Sequence, residues 1–106
     1  MFTSHQLAQI ESGRQIGISS RIHWQGEPAW VCLGIQKRAA RYIAHIDLIL
    51  ERHMDTEHFS LDETLAFDSL GLASAWLERH CHDHALSTDF KTSKGHRFFN
   101  PRLLAD

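Results

Sequence analysis

Residues 36–53 read QKRAARYIAHIDLILERH, and this stretch decides the predicted fold because its hydrophobic periodicity is the clearest in the chain. At about 100° per residue, one set of side chains falls inside an arc of roughly 120°, and Leu48 is the one large apolar residue outside it. The members of that arc, counted from the preceding residue, are Ile35, Ala39, Tyr42, Ile43, Ile46, Ile49, Leu50 and His53. Ala39 and Ala40 are also good helix formers. The stretch therefore predicts a one-sided amphipathic helix.

The same stretch has a competing interpretation as a β-strand. A strand would place one alternating set on a single face: Tyr42, Ala44, Ile46, Leu48 and Leu50. It would leave Ile43 and Ile49 among polar residues on the other face, so we expect the helix. On that helix Ile46 is central and buried, and Leu48 lies outside the buried stripe. Ile46→Ala is then expected to cost about 2–5 kcal/mol, and Leu48→Ala much less.

Residues 14–35 alternate between apolar and polar in two runs, which are separated by the turn pattern Gln25-Gly26-Glu27-Pro28. Each run keeps its apolar residues on one face, which predicts a β-hairpin. We expect Trp24 opposite Ala29 and a four-residue loop. A two-residue loop would preserve the same faces, but it would place Pro28, which has no N–H, inside the ladder.

A hairpin alone is marginal in water and needs further partners. A third strand is expected from residues 63–67, from residues 89–99 or from a second copy of the chain. A short helix over residues 5–12 is predicted from the capping residues Thr3 and Ser4 and from the stop signal Gly13.

A second amphipathic helix is predicted from about Ser69 onward. Its apolar face consists of Leu70, Ala73, Trp76, Leu77 and Cys81. Residues 61–67 remain open between helix and strand. Residues 86–106 are polar, basic and broken by Gly95 and Pro101, which predicts a loosely held tail. The residues of this tail that could dock on the core are Phe90, Phe98, Phe99, Leu103 and Leu104.

The predicted fold is a single α+β domain over residues 1–106. A β-hairpin, completed by a third strand or by a dimer mate, packs against two amphipathic helices. A chain of 106 residues that is 42% hydrophobic and 23% charged has enough apolar material for one core and is too apolar for disorder. No apolar run is long enough to cross a membrane, and no signal peptide is recognisable. Two cysteines without a CxxC spacing favour a reduced, cytoplasmic setting.

Charge is unevenly distributed along the chain. The net charge is −2, yet residues 46–90 hold ten acidic residues against two arginines. The basic residues are concentrated before and after this segment. Nine histidines make the net charge strongly dependent on pH near 6.5.

Three candidate sites follow from these patterns. On the predicted first helix the basic residues lie within about 100° of one another, which favours an acidic partner or a solvated face. Trp30 lies beside Arg21 on the polar face of the hairpin, where an exposed Trp can anchor an interface. The candidate binding residues are Lys37, Arg38, Arg41, Arg52, Trp30 and Arg21.

The third candidate is a metal site. His80, Asp83 and His84 are spaced i, i+3 and i+4 on the second helix, so they share one side and could ligate a transition metal. The competing interpretation is a helix C-terminus whose histidines interact favourably with the helix dipole.

No catalytic motif is present in the sequence, so enzymatic activity is not expected. Cys32 on the polar face of the hairpin could act as a nucleophile near His23, but a small residue on a strand explains Cys32 better. We expect a small, non-catalytic binding or regulatory protein of the cytoplasm that acts through protein–protein contact as a homodimer. The alternative is a nucleic-acid-binding protein that uses the basic helix face and tail. The second alternative is a histidine-rich metal-binding protein. No cofactor is expected.

Overall fold

The computed structural model describes residues 1–103, and its central element is a five-stranded antiparallel sheet. The strands are β1 (Ile16–Trp24), β2 (Glu27–Arg38), β3 (Arg41–Leu50), β4 (Leu61–Phe67) and β5 (Lys91–Thr92). Their spatial order is β4-β3-β2-β1-β5. The helices are α1 (Ser4–Glu11) and α2 (Leu70–Asp83), with two short 3₁₀ turns at Glu51–Thr56 and Pro101–Leu103. The α+β class is therefore confirmed.

The predicted helix over residues 36–53 is wrong. The first residues of this stretch end β2, Ala39 and Ala40 form a turn, and the remainder forms β3 and the first part of a 3₁₀ turn. Ala39 adopts a left-handed φ of 55°, a conformation for which Gly or Asn is the usual signal. Both faces of β3 are largely buried, and the face opposite the core carries Ile43 and Ile49 among polar residues, so the period of two is obscured.

Leu48 is as fully buried as Ile46, and both belong to the core. The expectation that Leu48 lies outside the buried stripe is therefore wrong. The strand interpretation of this stretch, with Tyr42, Ala44, Ile46, Leu48 and Leu50 on one face, is the observed one.

The hairpin of β1 and β2 has the predicted faces but a register shifted by two residues. Trp24 lies opposite Glu27, and the connection is a two-residue turn of Gln25 (φ 51°) and Gly26 (φ 80°). Two consecutive positive φ values are typical of a type I′ turn. Pro28 does lie in the ladder, opposite His23. The pair next to the closing pair of such a hairpin is not hydrogen-bonded, so the missing N–H of Pro28 costs no β1–β2 bond.

The remaining elements agree with several predictions. The short first helix is confirmed, with Thr3 as its cap, and so is α2, with Ser69 as its cap. Residues 61–67 form strand β4, and β5 lies within residues 89–99, so the chain itself supplies additional strands. No helix among residues 1–103 is long and apolar enough to span a membrane.

One face of the sheet carries the core, and α1 and α2 pack on it. The fully or largely buried members of this core are Ile10, Ile16, Ala29, Val31, Leu33, Ile35, Ala44, Ile46, Leu48, Leu50, Ala73, Leu77, Cys81 and Phe90. The C-terminal segment crosses the opposite face. The docking of Phe90 and Phe99 is confirmed, because both are buried. The predicted docking of the Leu103 side chain and of Leu104 lies outside what the structure describes.

Candidate functional site

The sheet face opposite α2 presents three rows of neighbouring side chains that run across the strands. The first row is Gly17, Gly34, His45 and Thr64; the second is Ser19, Cys32, Asp47 and Asp62; the third is Arg21, Trp30 and Ile49. The C-terminal segment covers the two glycines and His45 of the first row, whereas Arg21 and Trp30 of the third row are exposed. This difference divides the face into a covered end and an open end.

The covered end is a flat seat for two aromatic rings. Gly17 and Gly34 lie opposite each other, and a Cβ atom on Gly34 would be 2.6 Å from the Phe99 ring. A Cβ atom on Gly17 would be 2.6 Å from the Phe98 ring. Such contacts are far shorter than van der Waals distance, so only glycine permits this approach of the tail.

Gln15 holds the tail backbone on this seat. The backbone N–H groups of Phe98 and Phe99 donate to Gln15 Oε1, at 2.6 and 3.2 Å. In return, Gln15 Nε2 donates to the carbonyl oxygen of Phe99 at 3.0 Å and to Gln36 Oε1 at 3.1 Å. Gln15 is buried, and its amide is therefore fully used as a clamp.

His45 lies beneath the Phe99 ring. The two rings are stacked, with an angle of 2° between their planes and 5.0 Å between their centroids. His45 Nε2 lies 2.7 Å from Asp47 Oδ2, and Nδ1 lies 2.7 Å from Thr64 Oγ1. A neutral imidazole can satisfy both contacts by donating from Nε2 to the carboxylate and accepting the threonine hydroxyl at Nδ1. Both nitrogens are thus engaged by the protein itself.

Cys32 is not an activated thiol. Burial, and secondarily the charge of Asp47, raises its pKa to about 12. Its thiol donates to the carbonyl oxygen of Phe98 at 3.4 Å. The observed register also places Arg21 and not His23 opposite Trp30, so His23 is farther from Cys32 than we expected. This thiol is therefore not prepared for nucleophilic attack.

The six predicted binding residues do not form one surface. Lys37, Arg38 and Arg41 lie at the β2–β3 turn, where Arg38 and Arg41 are opposite each other. The other three, Arg21, Trp30 and Arg52, lie at the opposite end of these strands, roughly 30 Å away at the usual rise per residue. The predicted continuous basic face is therefore wrong, because the helix that would have aligned it does not exist.

At the β2–β3 turn, a carboxylate from α1 already meets the basic side chains. Lys37 Nζ lies 2.8 Å from Glu11 Oε2, and the Tyr42 hydroxyl donates to Glu11 Oε1 at 2.7 Å. The hydrogen bond from Lys37, followed by that from Tyr42, lowers the pKa of Glu11. The charge of Lys37 is thus balanced within the chain.

The open end carries an exposed aromatic ring and the Arg21–Glu51 pair. The Arg52–Glu27 pair lies at the same end of the strands, and the register places Glu27 on the core face of β2. Trp30 is 39% exposed. Arg21 Nε lies 2.5 Å from Glu51 Oε1, and Arg52 Nε lies 2.5 Å from Glu27 Oε1; each pair has a second contact at 3.3 Å. Each arginine lowers the pKa of its own glutamate, chiefly by donating these hydrogen bonds. Ile49, the cross-strand neighbour of Trp30, is buried.

The predicted metal residues lie near the C-terminus of α2. The His80 and His84 rings are stacked with centroids 5.9 Å apart, and His84 Nδ1 lies 2.8 Å from the His80 carbonyl oxygen. His80 Nε2 also lies 4.0 Å from Glu63 Oε2. Burial, followed by the charge of His84, lowers the pKa of His80. Within residues 1–103 no three His, Cys, Asp or Glu side chains converge on a point where they could hold a metal ion.

A cleft of about 1040 Å³ lies between α1, the start of β1 and the C-terminal segment. Its walls include Ile18 and Ser19 from β1 and the basic residues Lys91, Lys94 and Arg97. Lys91 pairs with Asp89 at 3.4 Å. The cleft therefore gives access to the outer edge of β1.

Comparison of the chain with protein-family models, with curated proteins and with solved structures gives no match.

The sequence patterns found Arg21 and Trp30 as neighbours, but they missed Gln15, Gly17, Gly34 and His45. A signal for the glycines does exist, since two glycines on the same face of a hairpin indicate a close approach. With the four-residue loop, however, Gly17 lay opposite Gln36, and the shared position of the glycines was hidden.

Proposed function

We propose that this chain is a non-catalytic binding or regulatory protein of the cytoplasm that acts through protein–protein contact. The observation that carries this proposal is an open strand edge. β1 has nine residues, and β5 pairs with only Ile16 and Gly17. The outer edge from Ile18 to Trp24 has no strand partner within residues 1–103. Unpaired edges of this length are a common route of peptide and protein recognition.

The open end of the sheet lies beside this edge and has the anatomy of an interface centre. Trp30 supplies a large, rigid ring, and the Arg21–Glu51 pair lies beside it as a charged neighbour. Binding energy at interfaces concentrates on such aromatic and arginine residues. The edge and the open end together form one continuous contact surface.

Two observations support a function without catalysis. The Cys32 thiol has its pKa raised to about 12, which disfavours the thiolate. Both ring nitrogens of His45 are bonded within the protein, and the Phe99 ring covers it. The cytoplasmic setting is supported by Cys32 and Cys81, which are both free thiols.

The nucleic-acid alternative has weaker support. Phosphate binding draws on uncompensated lysine and arginine charge. Lys37, Arg21 and Arg52 each contact a glutamate within the chain, at 2.5 to 2.8 Å. These three cations would have to leave their carboxylates before they could meet a phosphate.

Affinity capture with the full chain tests the proposal. The natural chain and the variants Trp30→Ala and Leu72→Ala are immobilised and exposed to extract of the source cells. Leu72, on α2, is 59% exposed and outside the contact surface, so it is the matched control. We expect Trp30→Ala to reduce capture of specific partners about tenfold or more, which corresponds to about 1.4 kcal/mol or more. Equal capture by all three proteins, each with an unchanged melting temperature, would contradict the proposal.

A further inference from the structure

The sheet ends in two open edges of the same length. At one end, β5 covers two of the nine residues of β1 and leaves the seven from Ile18 to Trp24 open. At the other end, β4 also has seven residues and pairs only with β3 among the described strands. Each edge therefore presents a row of backbone N–H and C=O groups to solvent.

The hydrogen-bond phase of each edge follows from the hairpin turns. Trp24 and Glu27 close a two-residue turn, so the residues of β1 that bond to β2 are even-numbered and those that face outward are Ser19, Arg21 and His23. The Arg38–Arg41 turn fixes the count in the same way: odd-numbered residues of β3 bond to β2, and even-numbered residues of β3 bond to β4. Asp62, Thr64 and Ala66 therefore face outward on β4. These outward residues all have side chains on the face opposite α2.

The two edges differ in charge. The outward residues of the β1 edge include no acidic residue: Arg21 is paired with Glu51, His23 is exposed, and the basic tail residues Lys94 and Arg97 line the cleft beside the edge. The β4 edge has the exposed acidic residues Asp62 and Glu63, and Asp68 follows the strand. The acidic edge belongs to the segment 46–90, in which ten acidic residues outnumber two arginines.

We propose that the β1 edge of one copy of this chain pairs antiparallel with the β4 edge of a second copy. The inference rests on the proposed function, in which the β1 edge is a contact surface, and it names the partner. End-to-end alignment places Ile18 opposite Phe67 of the second copy and Trp24 opposite Leu61 of the second copy. On the opposite face, His23 meets Asp62 and Arg21 meets Thr64 of the second copy. Apolar pairs directly across an antiparallel contact, and an imidazole facing a carboxylate, stabilise it.

Pairing of like edges gains no opposite charges. A twofold, end-to-end contact between two β1 edges places Arg21 opposite Arg21, and like charges across a strand pair are destabilising. The same contact between two β4 edges places Asp62 opposite Ala66 and Glu63 opposite Leu65, so it brings two acidic edges together without a cation. A contact between unlike edges leaves one free edge on each end of the pair, so it propagates into chains and does not stop at a closed dimer.

The test is sedimentation velocity on the full chain over a concentration series, in about 20 mM and about 500 mM salt. The natural chain is expected to form species larger than a dimer at low salt and to dissociate at high salt. Ser19→Pro removes an outward N–H from the β1 edge, and Ser19→Ala, which keeps it, is the matched control. Asp62→Lys with Glu63→Lys reverses the β4 edge. Glu78→Lys with Asp83→Lys on α2 makes the same change of net charge elsewhere.

Mixing of the blocked variants gives the decisive result. Each edge variant alone is expected to be monomeric, because one of its two edges is blocked. A mixture of Ser19→Pro and Asp62→Lys/Glu63→Lys retains one intact β1 edge and one intact β4 edge, so it should form a 1:1 dimer and nothing larger. Both control variants should assemble like the natural chain. Circular dichroism verifies the fold of each variant, and if Ser19→Pro fails to fold, the salt dependence and the β4 variants decide.

Three results would overturn the inference. They are a natural chain that stays monomeric at low salt, a closed dimer that survives both edge variants, and assembly that salt does not weaken. Capture of a different protein that Trp30→Ala still abolishes, together with a monomeric natural chain, would overturn this inference and leave the proposed function standing. A natural chain that stays monomeric, with capture of other proteins that does not depend on Trp30, would overturn the proposed function as well.

Discussion

At the residue scale, the contact between Gly34 and Phe99 controls how the C-terminal segment lies on the sheet. A methyl group on Gly34 would be 2.6 and 2.8 Å from two ring atoms of Phe99. Gly34→Ala should therefore displace the segment and destabilise the fold by roughly 1–3 kcal/mol, the usual cost of overpacking. The backbone N–H groups of Phe98 and Phe99 donate hydrogen bonds to Gln15, and their hydrogen exchange should become faster in this variant.

Gly71 provides the control for this prediction. A Cβ atom there would have only Ser69 Oγ near it, at 3.9 Å, and Gly71 lies in the first turn of α2. Gly71→Ala should leave the fold as stable or up to about 1 kcal/mol more stable, since alanine favours a helix over glycine. If Gly34→Ala melted like Gly71→Ala and left amide exchange unchanged, Phe99 would not be seated as described.

At the scale of the element, β3 makes a prediction opposite to that of the helix interpretation. Ile46 and Leu48 are both fully buried on the same face of β3. Ile46→Ala and Leu48→Ala should therefore each cost about 2–5 kcal/mol. Chemical denaturation of the two variants measures both costs. A Leu48→Ala variant that stayed near the stability of the natural chain would favour the helix over the strand.

The sequence patterns predict an element correctly where only one of its faces is buried. In α2, Ala73, Leu77 and Cys81 are buried while Leu72 and Glu78 are exposed, so the period of the helix is visible. β3 lacks this contrast, because the core covers one face and the tail lies over part of the other, where His45 is buried beneath Phe99. A burial pattern that depends on a segment distant in sequence cannot be inferred from local periodicity.

The same distinction explains which site residues were predictable. Arg21 and Trp30 belong to one hairpin, and the alternation of side chains places them on the same face with either a two-residue or a four-residue loop. The Gln15 clamp joins residues 83 and 84 positions apart, and no local pattern announces such a contact. The edge charges were visible in the sequence, but their meaning required the strand order.

At the scale of the whole molecule, charge links the elements and sets how stability depends on pH. Glu11, Glu27 and Glu51 each have a lowered pKa, chiefly because Lys37, Arg52 and Arg21 donate to them. A carboxyl group whose pKa is lower in the folded state stabilises the fold above its unfolded pKa. That contribution is lost as pH falls through the folded pKa. These pairs therefore predict declining stability below about pH 4.5.

His80 adds a separate step at higher pH. It contacts the Trp76 ring at 4.6 Å between centroids and faces Glu63 of β4, so it lies where α2 meets the sheet. Burial, followed by His84, lowers its pKa, which means that the unfolded chain takes up this proton first as pH falls below about 6.5. The stability that neutral His80 provides is present above that pH and is lost as pH falls through its folded pKa.

The stability of the whole molecule should therefore fall in two steps between pH 8 and pH 3. Melting temperature measured across this range should decline first below about pH 6.5 and again below about pH 4.5. His80→Gln removes a titrating group and should flatten the difference between pH 7.5 and pH 5 while leaving the acid step. His82→Gln, at a largely exposed position two residues later, is the control. Parallel profiles for the natural chain and His80→Gln above pH 5 would show that burial of this imidazole does not contribute to the pH dependence.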